Sequence, residues 1–416
     1  MLKKLLVLLL ILINSTMFSF AQESVTLEEA LNIAKENNPE IKSAISSLPI
    51  SEAGIIIAKY IPNPKIGSFN EIVTGGSIHP LQLSTDLELG KKRYWRVQIA
   101  QEQVSKTELE IAKVLWETHT KVHIAYAALA IKQKIYNLAE ERTAFYKSLL
   151  DITNKRFEAG DVPKLEIYRA ETELLNAENQ LAEIKGKLKQ SKIEFNHLLG
   201  RDQESEIIVS AYQGLKPKVN IAEHQEITKI LEDARAKRLE IAILEKDFGI
   251  TRAQLKKAEW ERIPNFSIEA SYTKPSLGNG SWGPYVGGQF ELPVFNRKQG
   301  EIKEAKARLE FLEKERARIE QDIKAEVAIA YKDIQIREEQ FQRFEDKLLE
   351  ESENMLEIVK FGYQKGKLSF TDILTAELRN REINELYLES IFNYQVALAS
   401  LEYAVGIPLY NLGEKS

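Results

Sequence analysis

His119 and His123 are the residues best placed to do chemistry, because a spacing of four on a helix puts both imidazoles on one face, as a pair of metal ligands requires. No third ligand accompanies them. A solvated helix face therefore explains the pair better, and no metal site is expected. The 62 acidic residues could supply a general acid and base, but the surfaces of long helices account for nearly all of them and no pair stands apart. A Gly-rich phosphate loop and a nucleophile elbow are both missing, and Cys is absent. The chain reads as a non-enzyme without cofactors. A net charge of −5 also disfavours nucleic acid as a partner.

Two other carboxylates occupy distinctive places. Glu166 falls in the first turn after Pro163, where a helix dipole favours negative charge, and Asp372 follows Ser369 at the Ser-x-x-Asp spacing of a capping box. Each lies six residues beyond a glycine, Gly160 and Gly366. That shared offset is the first sign of a repeat.

The duplication is extensive. RFEAGDVPKLEIYRAE (Arg156 to Glu171) is answered by GYQKGKLSFTDILTAE (Gly362 to Glu377), with Gly, Ala and Glu matched at an offset of 206. Gly200 in HLLG pairs with Gly406 in YAVG at the same offset. IPN recurs at Ile61 and Ile263, and Glu-Ile at Glu40 and Glu240. Length alone, 416 residues, suggests two or three domains, but only 20 Gly and 12 Pro imply few, long elements. The expected organisation is a repeat over 22–210, a linker over 211–224, a second repeat over 225–410 and a tail over 411–416.

Each repeat reads as helix, strands, very long helix, turn, helix. Ala170, Leu174, Ala177, Leu181, Ile184, Leu188, Ser191, Phe195 and Leu198 form a sustained heptad seam, matched in the second copy from Ile373 to Leu401. A further seam runs from Ile124 to Ile152. The long helices (about 96–159 and 299–361) would span roughly 90–95 Å and the shorter ones (about 163–199 and 369–405) roughly 50 Å, so two short helices end to end match one long one. Between the first and second helices of each copy, over about 64–90 and 264–293, the period falls to two. Leu81, Leu83, Leu87 and Leu89 alternate with polar residues, as do Phe266, Ile268, Ala270 and Tyr272. Gly75-Gly76 and Gly278 to Gly280 mark turns, and Tyr60, Tyr94, Trp95, Trp260, Tyr272 and Trp282 fall at or near the strand ends. One apolar face, one polar face and flanking aromatics describe strands of an outer-membrane barrel. Four such strands cannot close a barrel; three chains would supply twelve. The fold class expected is mainly α with a β-barrel portion.

Residues 1–21 read as an export signal: Lys3 and Lys4, an apolar run from Leu5 to Ile13, and small residues at Ser19 and Ala21. No later segment has 18 consecutive apolar residues.

The sequence resembles the TolC family of outer-membrane efflux channels. TLEEALNIAKENNPEIKSA (Thr26 to Ala44) is similar to the family's opening pattern, GDVPKLEIYRAE and GKLSFTDILTAE to its turn-plus-helix pattern, and HLLG and YAVG to its repeat ends. ELPVFNRKQGEIKEAKARLE (Glu291 to Glu310) resembles the heavy-metal cation branch, while the chain lacks the Cys that lipid-anchored members carry after the signal. The resemblance implies a homotrimer in the outer membrane with a twelve-stranded barrel and a periplasmic helical tunnel. Its function would be a passive duct for metal cations or drugs delivered by an inner-membrane pump of the RND type through a periplasmic adaptor, or membrane fusion, protein. It also implies that the turns at Gly160 and Gly366 touch the adaptor. Glu166 and Asp372, with Arg169 and Thr375 one turn further on, would line the constriction. The rival reading is a periplasmic coiled-coil adaptor or tether without a pore.

Overall fold

The computed structural model describes residues 24–68, 71–73, 76–78, 81–210, 212–217, 227–273 and 281–408. The export signal, most of the 211–224 linker, the turn residues Gly75 and Gly278 to Gly280, and the tail over 411–416 lie outside the described residues. The first half of the chain runs α1 (Leu27–Asn37), α2 (Pro39–Ile45), α3 (Leu48–Ala58), β1 (Lys65–Ser68), β2 (Glu71–Val73), β3 (Gly76–Ile78), β4 (Leu81–Leu87), α4 (Lys92–Glu158) and α5 (Lys164–Leu199). After a short 3₁₀ turn at Tyr212–Leu215 come α6 (Ile227–Lys237), α7 (Leu239–Glu261), β5 (Phe266–Thr273) and β6 (Gly283–Phe290). The chain continues through α8 (Gln299–Arg343), a π-helical segment (Phe344–Leu348), α9 (Leu349–Gln364) and α10 (Phe370–Val405).

The 67 residues of α4 contain no Pro or Gly and extend about 100 Å. The 36 residues each of α5 and α10 extend about 54 Å. Along α5 the seam residues Ala170, Ala177, Ser191 and Phe195 are buried among exposed neighbours. Their counterparts in α10, from Ile373 through Tyr387 and Tyr394 to Leu401, are buried throughout apart from the half-buried Asn380. Helix α4 is packed on two sides: the Ile124 to Ile152 stripe is mostly half-buried, and Val122, Tyr126 and Leu129 on another face are fully enclosed.

The structure departs from the simple reading in two places. The helix ahead of the strands is broken in both copies. Pro39 disfavours helical backbone at Asn38, whose side chain then caps α2 by accepting from the amides of Glu40 (2.8 Å) and Ile41 (3.1 Å). In the second copy the break falls at Arg238, whose guanidinium reaches the Ala404 carbonyl (3.2 Å), Glu240 (2.9 Å) and Glu326 (2.8 Å). The second long helix is also not uniform. At Phe344–Leu348 it widens to a π turn, and Phe341 and Phe344 both lie against Tyr387, with ring centroids 5.9 and 6.4 Å away.

The strands form one antiparallel sheet in the order β1-β4-β5-β6, with β2 and β3 paired as a hairpin. Register puts Leu81 opposite Tyr272, Leu83 opposite Ala270 and Leu87 opposite Phe266, and then Ala270 opposite Val286 and Phe266 opposite Phe290. All of these share one face, and Ile66, Leu81, Leu83, Val286 and Phe290 are each more than half exposed. The opposite face carries Lys65, Gln82, Ser84, Asp86, Ser267, Glu269 and Gln289. On it Asp86 accepts from Lys65 (2.9 Å) and from the Ser267 hydroxyl (2.6 Å). Strands β1 and β6 end the sheet with one edge each unpaired among the described residues.

Because Phe195 is fully enclosed in the seam, Phe195→Ala should cost about 3–5 kcal/mol. Lys185→Ala on the exposed face should stay within about 0.5 kcal/mol. Denaturant titration in detergent compares them; equal midpoints would mean that the heptad seam is not the core.

Candidate functional site

Two helix turns at one end of the long hairpins bring most of the sequence-derived candidates together. In the first, Asp161 N–H donates to the Arg156 carbonyl (2.9 Å) and Gly160 takes φ +82°. In the second, Lys367 N–H donates to the Gly362 carbonyl (2.9 Å) and Gly366 takes φ +70°. Both glycines thus occupy the left-handed region, which a Cβ disfavours.

The copies are tied across the tip. Arg156 donates to the Tyr363 carbonyl (3.2 Å), and its guanidinium carbon lies 4.6 Å from the centre of the Tyr363 ring. Tyr363 is fully buried, with its hydroxyl 2.9 Å from Thr153 Oγ1 and 3.3 Å from Glu166 Oε2. Burial pushes the Tyr363 phenol above its ordinary range. Glu166 is therefore both a first-turn acid of α5 and an acceptor for the other copy. Further along the bundle, buried Tyr146 donates to Glu377 Oε2 at 2.5 Å.

Asp372 is bound locally. Its carboxylate accepts from the Ser369 amide (2.8 Å) and hydroxyl (2.7 Å), while its own amide donates to Ser369 Oγ (3.2 Å), completing the capping box. These bonds from the Ser369 hydroxyl and amide hold the Asp372 carboxyl below the usual range. Thr375, also exposed, donates to the Thr371 carbonyl (2.8 Å), and Arg169 is exposed. Sequence reasoning missed Arg156, Thr153 and Tyr363. The available signal was an asymmetry, since Tyr363 stands where the first copy has Phe157.

The histidine pair requires a correction. His123 is not on a solvated face: it is fully buried and bonded to Gln395 Oε1 (2.8 Å) and Glu402 Oε2 (3.2 Å). His119 stacks on Trp116, with centroids 4.8 Å apart. Packing of α4 against α10 removes this face from water. Among the described residues no group of three or more His, Asp or Glu is placed to hold a metal ion.

A sheet with an apolar outer face, carried on helices of tunnel length, has a counterpart among known proteins. The family model described as "Outer membrane efflux protein" matches residues 30–201. The first half of the chain is thus similar to outer membrane efflux proteins. A curated relative, the cobalt-zinc-cadmium resistance protein CzcC of Cupriavidus metallidurans, is 22% identical over 357 residues, covering 85% of this chain and 83% of the relative. The solved structure of CusC superposes with a TM-score of 0.75 at 18% identity, covering 94% of this chain and 96% of that one. That of VceC from Vibrio cholerae gives 0.69 at 17% identity, covering 91% and 96%. The fold of these solved structures thus extends over nearly the whole chain. The description of the matching model is one of efflux, a transport role.

Two outcomes check the tip. Gly366→Val should cost roughly 1 kcal/mol or more, read as a lowered unfolding midpoint, since the bulky side chain must adopt positive φ. The second concerns pH. Because folding lowers the Asp372 value, its contribution should be present above the ordinary carboxyl value of 3.8 and lost as pH falls through the lowered value in the folded protein. Asp372→Asn should therefore flatten that acid limb of the melting profile; an unchanged limb would show that the capping bond contributes nothing.

Proposed function

We propose that this protein is the outer-membrane exit duct of a tripartite efflux system, passively passing substrates that an inner-membrane pump delivers through a periplasmic adaptor. The carrying observation is the sheet: its apolar face is exposed, and among the described residues its polar face is not matched by a second layer and both edges are open. In lipid an unpaired edge costs several kcal/mol per orphaned group, so the edges must meet those of other copies. Three copies close a twelve-stranded barrel with Asp86 and Glu269 facing its lumen. A coiled-coil tether has no use for such a face.

Exposed side chains on the helices support the same closure. Strand β1 follows α3 and β6 precedes α8, so pairing β1 with the next copy's β6 sets those two helices side by side. Ile50, Ile56 and Ile57 on α3 are exposed, as are Phe311 and Ile329 on α8. Burying them between copies contributes roughly 25 cal/mol per Å² of apolar surface.

At the other end, the turns at Gly160 and Gly366 form the surface that meets the adaptor. Asp372 and Glu166, repeated by threefold symmetry, become two rings of three carboxylates at the constriction. Like-charged rings in a narrow opening attract cations. The relative CzcC is named for resistance to cobalt, zinc and cadmium, which favours metal cations as cargo over drugs.

Light scattering should find a trimer that requires detergent, and Ile57→Lys should shift it toward monomer. A soluble wild-type monomer would defeat both barrel and duct. In planar bilayers, Asp372→Asn combined with Glu166→Gln should weaken cation selectivity and block by divalent cations. Unchanged conductance with a lowered melting temperature would place the constriction elsewhere.

A further inference from the structure

A cleft of about 500 Å³ on the helical body plays no part in the proposed duct. It lies between α1, α2, α4, the junction of α6 with α7 and the end of α10, so both repeats contribute to its walls. Leu31, Ile41, Leu115 and Tyr403 supply apolar surface. Its polar lining is mostly donors. Thr118 is 1% exposed, and among the described residues its hydroxyl has no partner. Thr107, Thr120, Thr143 and Thr153 of the same helix turn their hydroxyls back to the carbonyl four residues earlier, whereas Thr118 does not. The enclosed indole nitrogen of Trp116, which can only donate, likewise has no acceptor among the described residues. A buried donor without an acceptor costs stability, and two in one cleft fit a ligand that accepts.

Electrostatics sets the sign of that ligand. In the first copy Asn38 caps α2 through two amides. At the equivalent position, 200 residues on, Arg238 makes no side-chain bond to the first turn of α7. Leu239 and Glu240 line the cleft, so the positive end of this 23-residue helix opens onto it. Lys35, Lys113, Lys237 and Arg238 outnumber Glu28 and Glu240 in the lining. The Glu240 carboxylate is offset by Arg238 at 2.9 Å and Lys113 at 3.6 Å. Arg238 and Lys237 also meet Glu326 and Asp233, which lie outside the lining. We propose that this cleft binds a small amphipathic organic anion, a carboxylate on an aromatic or branched apolar body. Thr118 and Trp116 donate to its oxygens, and the apolar body lies against Leu31, Ile41 and Tyr403.

Such a site trades stability for binding. Thr118→Val keeps the shape of the side chain and removes the partnerless hydroxyl, so it should raise the melting temperature of the ligand-free protein while weakening the anion. A threonine serving packing alone would move only the first of these, and one whose hydroxyl was already satisfied would lower the melting temperature.

Fluorine NMR of the full-length protein in a neutral maltoside detergent, with its four tryptophans replaced by 5-fluorotryptophan, tests the site. Trp116→Phe assigns the Trp116 signal. Sodium 1-naphthoate should shift that signal saturably, with half-saturation at or below roughly 1 mM, and leave Trp282 on the sheet side unchanged. The neutral 1-naphthalenemethanol, which enters detergent as readily, should not shift it. Thr118→Val should weaken naphthoate about tenfold or more. Should that variant fail to fold, Lys113→Gln carries the same test and should also weaken naphthoate. No saturable shift, equal shifts with the alcohol, or unchanged affinity in the folded variant would overturn the proposal. So would naphthoate binding only to a chain ended after Pro408, since the chain's own C-terminal segment would then be the occupant.

Discussion

An open sheet edge cannot face lipid, and most of this architecture follows from that constraint. Four strands expose Ile66, Leu83 and Val286 on one face, which suits a bilayer, but leave β1 and β6 without partners among the described residues. In the proposed duct the remedy lies in other copies of the chain. Closing the ring fixes which helices become neighbours, because α3 and α8 are continuous with the two edge strands. In that assembly the long helices would have to pack around an axis instead of collapsing on it. Small residues in the seams, such as Ala170, Ala177, Ala376 and Ala397, allow the close approach this requires.

Duplication supplies the two hairpins, and divergence sets how they are joined. Gly160 and Gly366 make equivalent turns, yet Arg156 reaches from the first copy to the carbonyl and ring of Tyr363 in the second. No reciprocal contact can form, because Gly362 stands where the first copy has Arg156. Similarly, α10 carries a nearly continuous buried stripe, whereas the equivalent stripe of α5 is interrupted by half-buried positions such as Leu174, Leu181 and Ile184. The two halves of a symmetric plan have thus acquired one more enclosed member and one less enclosed.

Periodicity made the fold legible. Leu81, Leu83 and Leu87 are apolar at period two and do share the exposed face of β4, and the heptad from Ala170 to Leu198 does run along the buried side of α5. Both patterns are local, so a single stretch of sequence contains them. The burial of His123 was illegible for the opposite reason: Glu402 lies 279 residues away, and nothing near His123 announces that α10 will cover it. Arg156 and Tyr363, 207 residues apart, were hidden in the same way. The π segment leaves no mark either, since Phe344–Leu348 contains no Pro or Gly and its cause is packing against Tyr387. Pro39 was an available signal for the first break that the reading of one helix passed over, whereas Arg238 sits at the second break with contacts to α10 and Glu326 that only the folded chain reveals.

The central claim is that β1 of one copy pairs with β6 of the next. The absence of Cys makes this directly measurable, because any disulfide must come from introduced residues. Single cysteines at Lys65 or Gly67 on β1, combined with single cysteines at Gly287 or Gln289 on β6, should give dimer and trimer bands on non-reducing gels of native outer membranes. At least one pairing should be close enough, with Cα atoms about 5.5 Å apart, to oxidise readily. If no combination cross-links between copies, or if cross-links form only within one chain, the edges do not meet and the account of a closed trimeric barrel is contradicted.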